Sequence, residues 1–187
     1  MSTVQLKFEM LIKKLSYVKS DLEFHRSEHQ KRKEIFNRDI LEYIEDSVYT
    51  YSPTKAKKNF VYPYEKKRAV DVPDLEKQTK EIFRKVAKVT HPDVAKSAID
   101  EKRFLDAKSA LDGKDWFSMY EIGAHLGIEI EDVSEKHLEW LEQEISMTEA
   151  IIKGIVTTFE WVYSNEGANK QQLLTTYCML TCKLKDE

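Results

Sequence analysis

Apolar side chains recur along the first part of the chain in alternating steps of four and three residues. The first members of this series are Val4, Phe8, Leu11, Leu15, Val18 and Leu22. The same register then passes through polar residues before apolar ones return: His25, His29, Arg32, Phe36 and Tyr43. This spacing is typical of the buried seam of a coiled coil. We therefore predict a long N-terminal helix over residues 1–48, with a polar middle.

A second series with the same spacing lies in the C-terminal half of the chain. Its members are Leu138, Leu141, Ile145, Thr148, Ile152, Ile155, Phe159 and Val162. It predicts a return helix over residues 131–166. Neither helix can bury its apolar stripe alone, and everything between them must leave and return at one end. We therefore predict that the two helices pair as an antiparallel coiled-coil arm.

The residues between the two arm helices predict a linker and a small module. Residues 49–73 hold three of the four prolines and show no clear hydrophobic period, which indicates a linker. Gly127 is placed to end the last of the helices that follow. Those predicted helices lie near residues 74–90, 98–112 and 115–126, within a helical module over residues 74–130 carried at one end of the arm. The predicted fold class is therefore all-α.

The C-terminal segment, residues 167–187, predicts a last helix near residues 168–184 that folds back on the arm. Its predicted apolar face consists of Leu173, Leu174, Tyr177, Leu180 and Leu184. The only two cysteines, Cys178 and Cys182, lie four residues apart on this helix, which does not suit a disulfide scaffold. A pair of metal ligands is one interpretation, but no other Cys or His lies nearby in sequence. We expect two ordinary thiols at the edge of the core, and no metal.

The helix predicted over residues 74–90 has two different faces. Its apolar face consists of Leu75, Ile82, Phe83, Val86 and Val89. The opposite face consists of Lys77, Lys80, Arg84 and Lys88. A charged face alone usually marks only a solvated surface. Here, however, Pro92 disfavours helical geometry at His91 and stops the helix at its basic end.

The next helix completes a hairpin around His91-Pro92-Asp93, which is predicted to be an exposed turn. Ser97 and Asp100 have the spacing of a capping box, so the returning helix begins just after the tripeptide. Its side chains predicted to face the first helix are Phe104, Ala107, Ala110 and Leu111. The two helices therefore hold a polar turn at their tip.

Residues 83–93 resemble the second helix and signature tripeptide of J-domain co-chaperones. They read Phe83-Arg84-Lys85-Val86-Ala87-Lys88-Val89-Thr90-His91-Pro92-Asp93. As in that family, an aromatic residue stands eight positions before the histidine, a basic pair follows it, and a phenylalanine, Phe104, opens the returning helix. The matched flanks make the motif far more specific than a bare tripeptide.

The resemblance implies a partner and a mechanism without covalent chemistry. In J-domain proteins the basic helix docks on an acidic surface of a DnaK-type chaperone ATPase, and the tripeptide triggers ATP hydrolysis. The implied partner-binding residues are His91, Pro92, Asp93, Lys77, Lys80, Arg84, Lys85 and Lys88. Charge complementarity then orients the encounter, and the tripeptide supplies directional hydrogen bonds. We expect no enzyme activity and no cofactor.

The resemblance covers residues 74–112 and departs from the family in three ways. No short helix with an aromatic-rich start precedes Asp74, Thr90 stands where a tyrosine is often found, and the usual glycine-rich and zinc-binding client regions are absent. Two arms around a minimal J-module resemble the J-like chaperone proteins of tailed bacteriophages. Those proteins carry a leucine-glycine-hydrophobic ending similar to Leu126-Gly127-Ile128.

The composition of the chain does not favour nucleic acid or a membrane as a partner. Charged residues make up 34% of the chain, with 5 Gly and 4 Pro, which favours long solvated helices. The net charge of -3 gives no overall attraction to nucleic acid or to an anionic membrane. No apolar stretch approaches the roughly 20 residues of a membrane span, and no secretory signal pattern opens the chain. We expect a cytoplasmic protein, in the host bacterial cytoplasm if a phage encodes it.

Nucleic-acid binding is a competing interpretation. Residues 121–128, followed by a helix, resemble a DNA-binding helix-turn-helix. The helix in the recognition position carries six carboxylates and only one basic residue, Lys136, so it repels phosphate. The carboxylates are Glu131, Asp132, Glu135, Glu139, Glu142 and Glu144.

Zinc hydrolysis is a second competing interpretation, based on His25-Arg26-Ser27-Glu28-His29, which has the form of an inverted zinc-protease signature. Both histidines lie on the predicted coiled-coil seam, where packing or register is the more common role. A zinc hydrolase also needs a third ligand and an open metal position, and no residue marks either.

In a third interpretation the chain still docks on the DnaK-type chaperone, but docking has a different effect on the chaperone. The chain then acts as a decoy or scaffold that occupies the chaperone, or redirects it, without stimulating the ATPase. The arms have several possible roles: they hold a client protein, dimerise or brace the module. Trp140 and Trp161 are candidate contact residues, although core packing is the commoner role for a tryptophan.

Overall fold

The computed structural model describes residues 2–50, 75–95 and 97–184. Helices account for 78% of these residues, and the only sheet among them is a two-stranded one, so the predicted all-α class is confirmed. Most of the predicted linker, residues 51–73, lies outside the described residues. None of the described helices is both long enough and apolar enough to cross a membrane.

Seven helices and two short strands follow one another along the described chain. The helices are α1 (Thr3–Glu45), α2 (Leu75–Thr90), α3 (Ala98–Asp112), α4 (Trp116–His125), α5 (Glu135–Val156), α6 (Phe159–Tyr163) and α7 (Lys170–Thr181). The strands are β1 (Tyr49–Thr50), between α1 and α2, and β2 (Lys183–Leu184), after α7. They pair antiparallel, with Tyr49 opposite Leu184.

The described residues form two compact units. The first unit consists of residues 2–18 and 75–146, and the second consists of residues 19–50 and 147–184. Both α1 and α5 contribute residues to each unit. The seam residues Phe8, Leu15 and Leu141 are buried in the first unit, as are Leu22 and Ile155 in the second. The antiparallel coiled-coil arm as a whole stays a prediction.

The first unit is built on the packing of α2 against α3 and α4. The buried side of α2 consists of Leu75, Thr79, Ile82, Val86 and Thr90. α4 approaches α2 closely at Gly123, where an added Cβ would lie 3.0 Å from Cγ2 of Ile82. Ala107 and Ala110 of α3 are buried, as predicted. Gly127 follows α4 with φ of 67°, a left-handed conformation that glycine adopts without strain and that agrees with its predicted place at the helix end.

The second unit has a core of aromatic, aliphatic and thiol side chains. Its buried members are Phe36, Ile40, Ile44, Tyr163, Leu174, Cys178 and Cys182. The ring of Phe36 meets those of Tyr163 and Tyr177 edge-on, at centroid distances of 5.2 and 4.9 Å. The hydroxyl of Tyr163 donates a hydrogen bond to Oδ2 of Asp39 at 2.8 Å, which satisfies the polar end of a buried ring.

The prediction of one continuous return helix over residues 131–166 was wrong. α5 begins only at Glu135 and ends at Val156, and α6 begins at Phe159. The side chain of Thr158 accepts a hydrogen bond from the N–H of Trp161 and so caps a new helix. Its hydroxyl also donates to the carbonyl oxygen of Ile155 in the preceding turn. These bonds compete with continuation of α5, a preference of threonine that the apolar spacing does not reveal.

The predicted apolar face of the last helix was also wrong in its C-terminal half. Leu180 and Leu184 are 52% and 67% exposed, whereas Cys178, Thr181 and Cys182 are buried. The helix ends at Thr181, and Leu184 belongs to β2 instead. The buried side therefore runs from Leu174 through the two thiols, where cysteine serves as a small apolar residue.

We predict that Gly123→Val destabilises the protein by about 2 kcal/mol, because the added methyl groups overpack the contact with Ile82. Gly154→Val is the matched control. Gly154 lies in α5 with no atom within 4 Å of an added Cβ, so this change should alter stability by less than about 0.5 kcal/mol. Urea unfolding followed by circular dichroism measures both. Equal effects at the two positions would contradict the close packing of α4 on α2.

Candidate partner-binding site

The His-Pro-Asp turn, His91-Pro92-Asp93, lies directly after the last residue of α2. The N–H of His91 still donates to the carbonyl oxygen of Ala87 at 3.0 Å, as in a helix. The carbonyl oxygen of His91 then accepts from the N–H groups of Val94 and Ala95, both at 2.8 Å, which closes a turn. Pro92 has no N–H with which to continue the helix. The chain therefore leaves the helical path at the tripeptide.

Thr90 anchors the residue before the turn. Its side chain is fully buried, and its hydroxyl donates to the carbonyl oxygen of Val86 at 2.8 Å. Val89 was predicted to lie on the apolar face, but it is 54% exposed. The buried row instead advances from Ile82 through Val86 to Thr90 in steps of four residues. Because the end of α2 is fixed in the core, the turn after it is held at the surface.

All three residues of the His-Pro-Asp turn are exposed, as predicted. The side chain of His91 is 46% exposed and that of Asp93 is 86% exposed. The N–H of Asp93 donates to Nδ1 of His91 at 3.3 Å. In a neutral ring this assigns the proton to Nε2, which is then the donor that the imidazole offers to a partner. The turn therefore presents a donor and a carboxylate acceptor together.

The ring of His91 rests against α3. It meets Phe104 edge-on at a centroid distance of 5.0 Å, and Phe104 in turn lies 6.1 Å from Phe83 of α2. The prediction that Phe104 faces the first helix is therefore confirmed. These two aromatic rings limit the orientations of the imidazole while leaving part of it exposed.

The cations of α2 differ in what they contact. Lys80 pairs with Glu76 at 2.7 Å, within the same helix. Lys85 is half-buried and pairs with Glu131 at 2.9 Å, and its Nζ also donates to the carbonyl oxygen of Glu129 at 3.1 Å. Lys85 therefore contacts residues of its own unit and does not belong to the exposed basic face of α2.

Arg84 and Lys88 are the exposed cations that lead to the turn. Steps of four and three residues place Arg84, Lys88 and His91 on one side of α2. Neither cation has an ion-pair partner among the described residues. Lys77 is also exposed, but Glu81 lies on the same side of the helix between it and Arg84. The positive charge is therefore most concentrated beside the tripeptide.

A buried polar network ties α2 to α4 and to the start of α5. Oε1 of Gln78 accepts from the hydroxyl of Tyr120 at 2.6 Å and lies 2.8 Å from Nε2 of His137. Nδ1 of His137 accepts the N–H of Ser134 at 3.2 Å, so Nε2 carries the proton and donates to Gln78. Burial lowers the pKa of His137 and raises that of Tyr120, which keeps both groups neutral. The sequence pattern did not indicate this network, because its members are far apart along the chain.

The alternative sites suggested by the sequence have other surroundings in the structure. His25 stacks on Trp161 at 5.2 Å, and Nε2 of His29 lies 3.8 Å from a carboxylate oxygen of Glu160. Among the described residues, no three His, Cys, Asp or Glu side chains are grouped to hold a metal ion. Cys178 and Cys182 are free and buried, and burial raises the pKa of Cys178 to about 12, which makes it a poor nucleophile at neutral pH.

The segment before α5 and the first turns of that helix are acidic where they are exposed. Their exposed carboxylates are Glu131, Asp132, Glu135, Glu139 and Glu142. Lys136 is the only exposed cation among residues 131–145. This surface repels phosphate, which argues against its use as a DNA-recognition helix.

A scan against protein-family models, a search of curated proteins and a search of solved structures gave no match to this chain.

We predict that the polar network makes folding sensitive to pH through His137. Because the pKa of His137 is lowered in the folded state, the unfolded chain binds a proton more readily. The stabilisation by the neutral ring is complete above the unfolded pKa of about 6.5 and is lost as the pH falls below it. Urea unfolding at a series of pH values should show this loss in the natural protein.

His137→Gln is the control for this prediction, since its amide keeps a donor for Gln78 but does not titrate. The difference in unfolding free energy between the two proteins should shrink or reverse between about pH 7.5 and 5.5. A constant difference across that range would show that His137 does not titrate differently in the folded state.

Proposed function

We propose that this chain is a J-domain-type co-chaperone that docks on a DnaK-type chaperone ATPase and stimulates its ATP hydrolysis. The observation that carries the proposal is the exposed His-Pro-Asp turn at the basic end of α2, with Arg84 and Lys88 on the same side as His91. The resemblance of residues 83–93 to the signature region of J-domains supports the same function.

The proposed docking surface combines steering with directional contacts. Arg84 and Lys88 attract an acidic surface of the chaperone and orient the encounter, because long-range attraction between opposite charges raises the association rate. The imidazole of His91 and the carboxylate of Asp93 then make hydrogen bonds whose geometry is set by Pro92 and Phe104. Lys80 and Lys85 contribute less, because each already has a carboxylate partner.

The proposal gives the chain no covalent chemistry of its own. ATP hydrolysis takes place in the partner, and this chain changes its rate by binding one of the partner's conformations in preference to another. A bacteriophage origin, action in the host cytoplasm and a client protein held by the arms are parts of the same proposal. They rest on the resemblance to phage J-like proteins.

We predict that the chain raises the steady-state ATPase rate of a DnaK-type chaperone and that His91→Gln abolishes the increase. Glutamine keeps much of the bulk of histidine but cannot present the same ring donor beside Asp93. Because His91 is exposed at the end of α2, the helical content measured by circular dichroism should not change. Binding of both proteins to the chaperone without any change in turnover would favour the decoy interpretation.

We also predict an order among charge reversals on α2. Arg84→Glu and Lys88→Glu should each weaken binding to the chaperone by about tenfold at low ionic strength, whereas Lys80→Glu should weaken it by about twofold. The larger effects should diminish as salt is added. Surface plasmon resonance against immobilised chaperone measures the association and dissociation rates.

Lys153→Glu is the control for this order because it makes the same change of net charge at an exposed lysine of the second unit, which contains no residue of α2. It should leave the affinity unchanged. Equal weakening by all four variants would indicate that only net charge matters, and would contradict a docking surface at the end of α2.

A further inference from the structure

One side of α1 carries a row of large apolar side chains that face solvent. We call this row the exposed stripe, and it consists of Leu6, Met10, Tyr17 and Phe24. Each of the four side chains is more than half exposed. Because an α-helix turns by about 100° per residue, the four positions lie within about 40° of one another around the helix axis. The buried seam residues Phe8, Leu15 and Leu22 lie on the opposite side of α1.

The spacing of the exposed stripe is that of a second coiled-coil seam. Met10, Tyr17 and Phe24 stand seven residues apart, and Leu6 stands four residues before Met10. A seven-residue apolar repeat is the pattern by which one helix packs along another. Because α1 is a single continuous helix, these relative positions depend on that helix alone. The stripe is therefore suited to a second helix, and the described residues leave it uncovered.

The residue types of the exposed stripe are those of a protein–protein interface. Methionine, tyrosine and phenylalanine are enriched in such interfaces relative to the rest of the protein surface, whereas lysine and glutamate are depleted there. A single exposed apolar residue is common on any protein and needs no explanation. A row of three, repeated every two turns on one side of α1, is a pattern that packing within the chain does not require.

The charges nearest the exposed stripe change sign at Tyr17. Lys13 and Lys14 come before it, and Asp21 and Glu28 come after it, all on the same side of α1. An antiparallel second copy, related by a two-fold axis through Tyr17, places the basic half of one helix against the acidic half of the other. A parallel copy would instead place Lys14 beside Lys14 and Asp21 beside Asp21. Charge complementarity therefore favours a second copy in the antiparallel arrangement.

We propose that two copies of this chain associate through their exposed stripes, as an antiparallel pair of α1 helices. The Tyr17 side chains of the two copies meet at the two-fold axis. Met10 of each copy packs against Phe24 of the other, because these positions stand seven residues before and after Tyr17. Lys14 of each copy lies beside Asp21 of the other. Each contact occurs twice, as in any self-complementary two-fold interface, and none of them uses α2 or the His-Pro-Asp turn.

Sedimentation velocity of the full chain over a range of concentrations tests the association. We expect a monomer–dimer equilibrium in the micromolar range. Tyr17→Glu should weaken it by at least about tenfold, because it places two like charges together at the two-fold axis. Leu41→Glu is the matched control and should leave the equilibrium unchanged, since Leu41 is an exposed apolar residue on a different side of α1. Both positions are exposed, so circular dichroism should show the same helical content in both variants.

Disulfide cross-linking tests the orientation of the two helices. Met10→Cys and Phe24→Cys are prepared as separate proteins, and the natural thiols Cys178 and Cys182 do not compete because they are buried. In an antiparallel pair the two variants should cross-link when they are mixed and oxidised. Neither variant should cross-link with itself, since its two thiols would lie at opposite ends of the interface.

Exchange of charges tests the complementarity. Lys14→Glu and Asp21→Lys should each weaken the dimer by about tenfold at low ionic strength, because each reverses one member of a pair that occurs twice. The double variant, with both changes in one chain, should recover most of the natural affinity, since each altered residue again faces the opposite charge. His91→Gln should dimerise as the natural protein does, which separates this surface from the proposed docking surface.

Any of three results would overturn the proposal. A chain that stays monomeric at concentrations on the order of 1 mM would leave the exposed stripe to another segment of the chain or to a different protein. A dimer that responds equally to Tyr17→Glu and Leu41→Glu would use another surface. Cross-linking of Met10→Cys with itself but not with Phe24→Cys, together with no recovery in the double charge variant, would show a parallel pair.

Discussion

The packing of α2 against α3 and α4 is the constraint on which the proposed docking surface depends. Val86 and Thr90 fix the C-terminal end of α2 in the core, and Pro92 prevents the helix from continuing. Phe104 of α3 supports the ring of His91. The core holds the end of α2, and α3 supports the ring of His91. The tripeptide is therefore held in one position relative to the cations of α2.

The same packing separates two surfaces of the first unit. Arg84 and Lys88 lie beside the turn, whereas Lys85 contacts Glu129 and Glu131 in the segment between α4 and α5. The helix therefore has one side that we propose binds a partner and another side, at Lys85, that contacts residues of its own unit. Lys85 also neutralises Glu131, whereas Glu129 and Asp132 have no ion-pair partner among the described residues.

The sequence predicted the features that depend on local chemistry. The ends of α2 and α3 follow from Pro92, Ser97 and the helical spacing of apolar residues, and the exposed turn follows from them. It did not predict features that depend on distant partners. Thr90 is buried in place of Val89 because the core continues one turn along the helix, and Lys85 is engaged because Glu131 lies beside it. The break before α6 depends on hydroxyl hydrogen bonds of Thr158, which hydrophobic spacing does not encode.

We propose that the His-Pro-Asp turn and the adjacent cations form the contact with a DnaK-type chaperone. Titration of the isotope-labelled chain with the chaperone, followed by amide NMR spectra, tests it most directly. We expect line broadening or shifts centred on Arg84, Lys88, His91 and Asp93, with the core of the second unit, such as Tyr163, unaffected. Changes confined to the second unit, or none at saturating chaperone, would contradict the account.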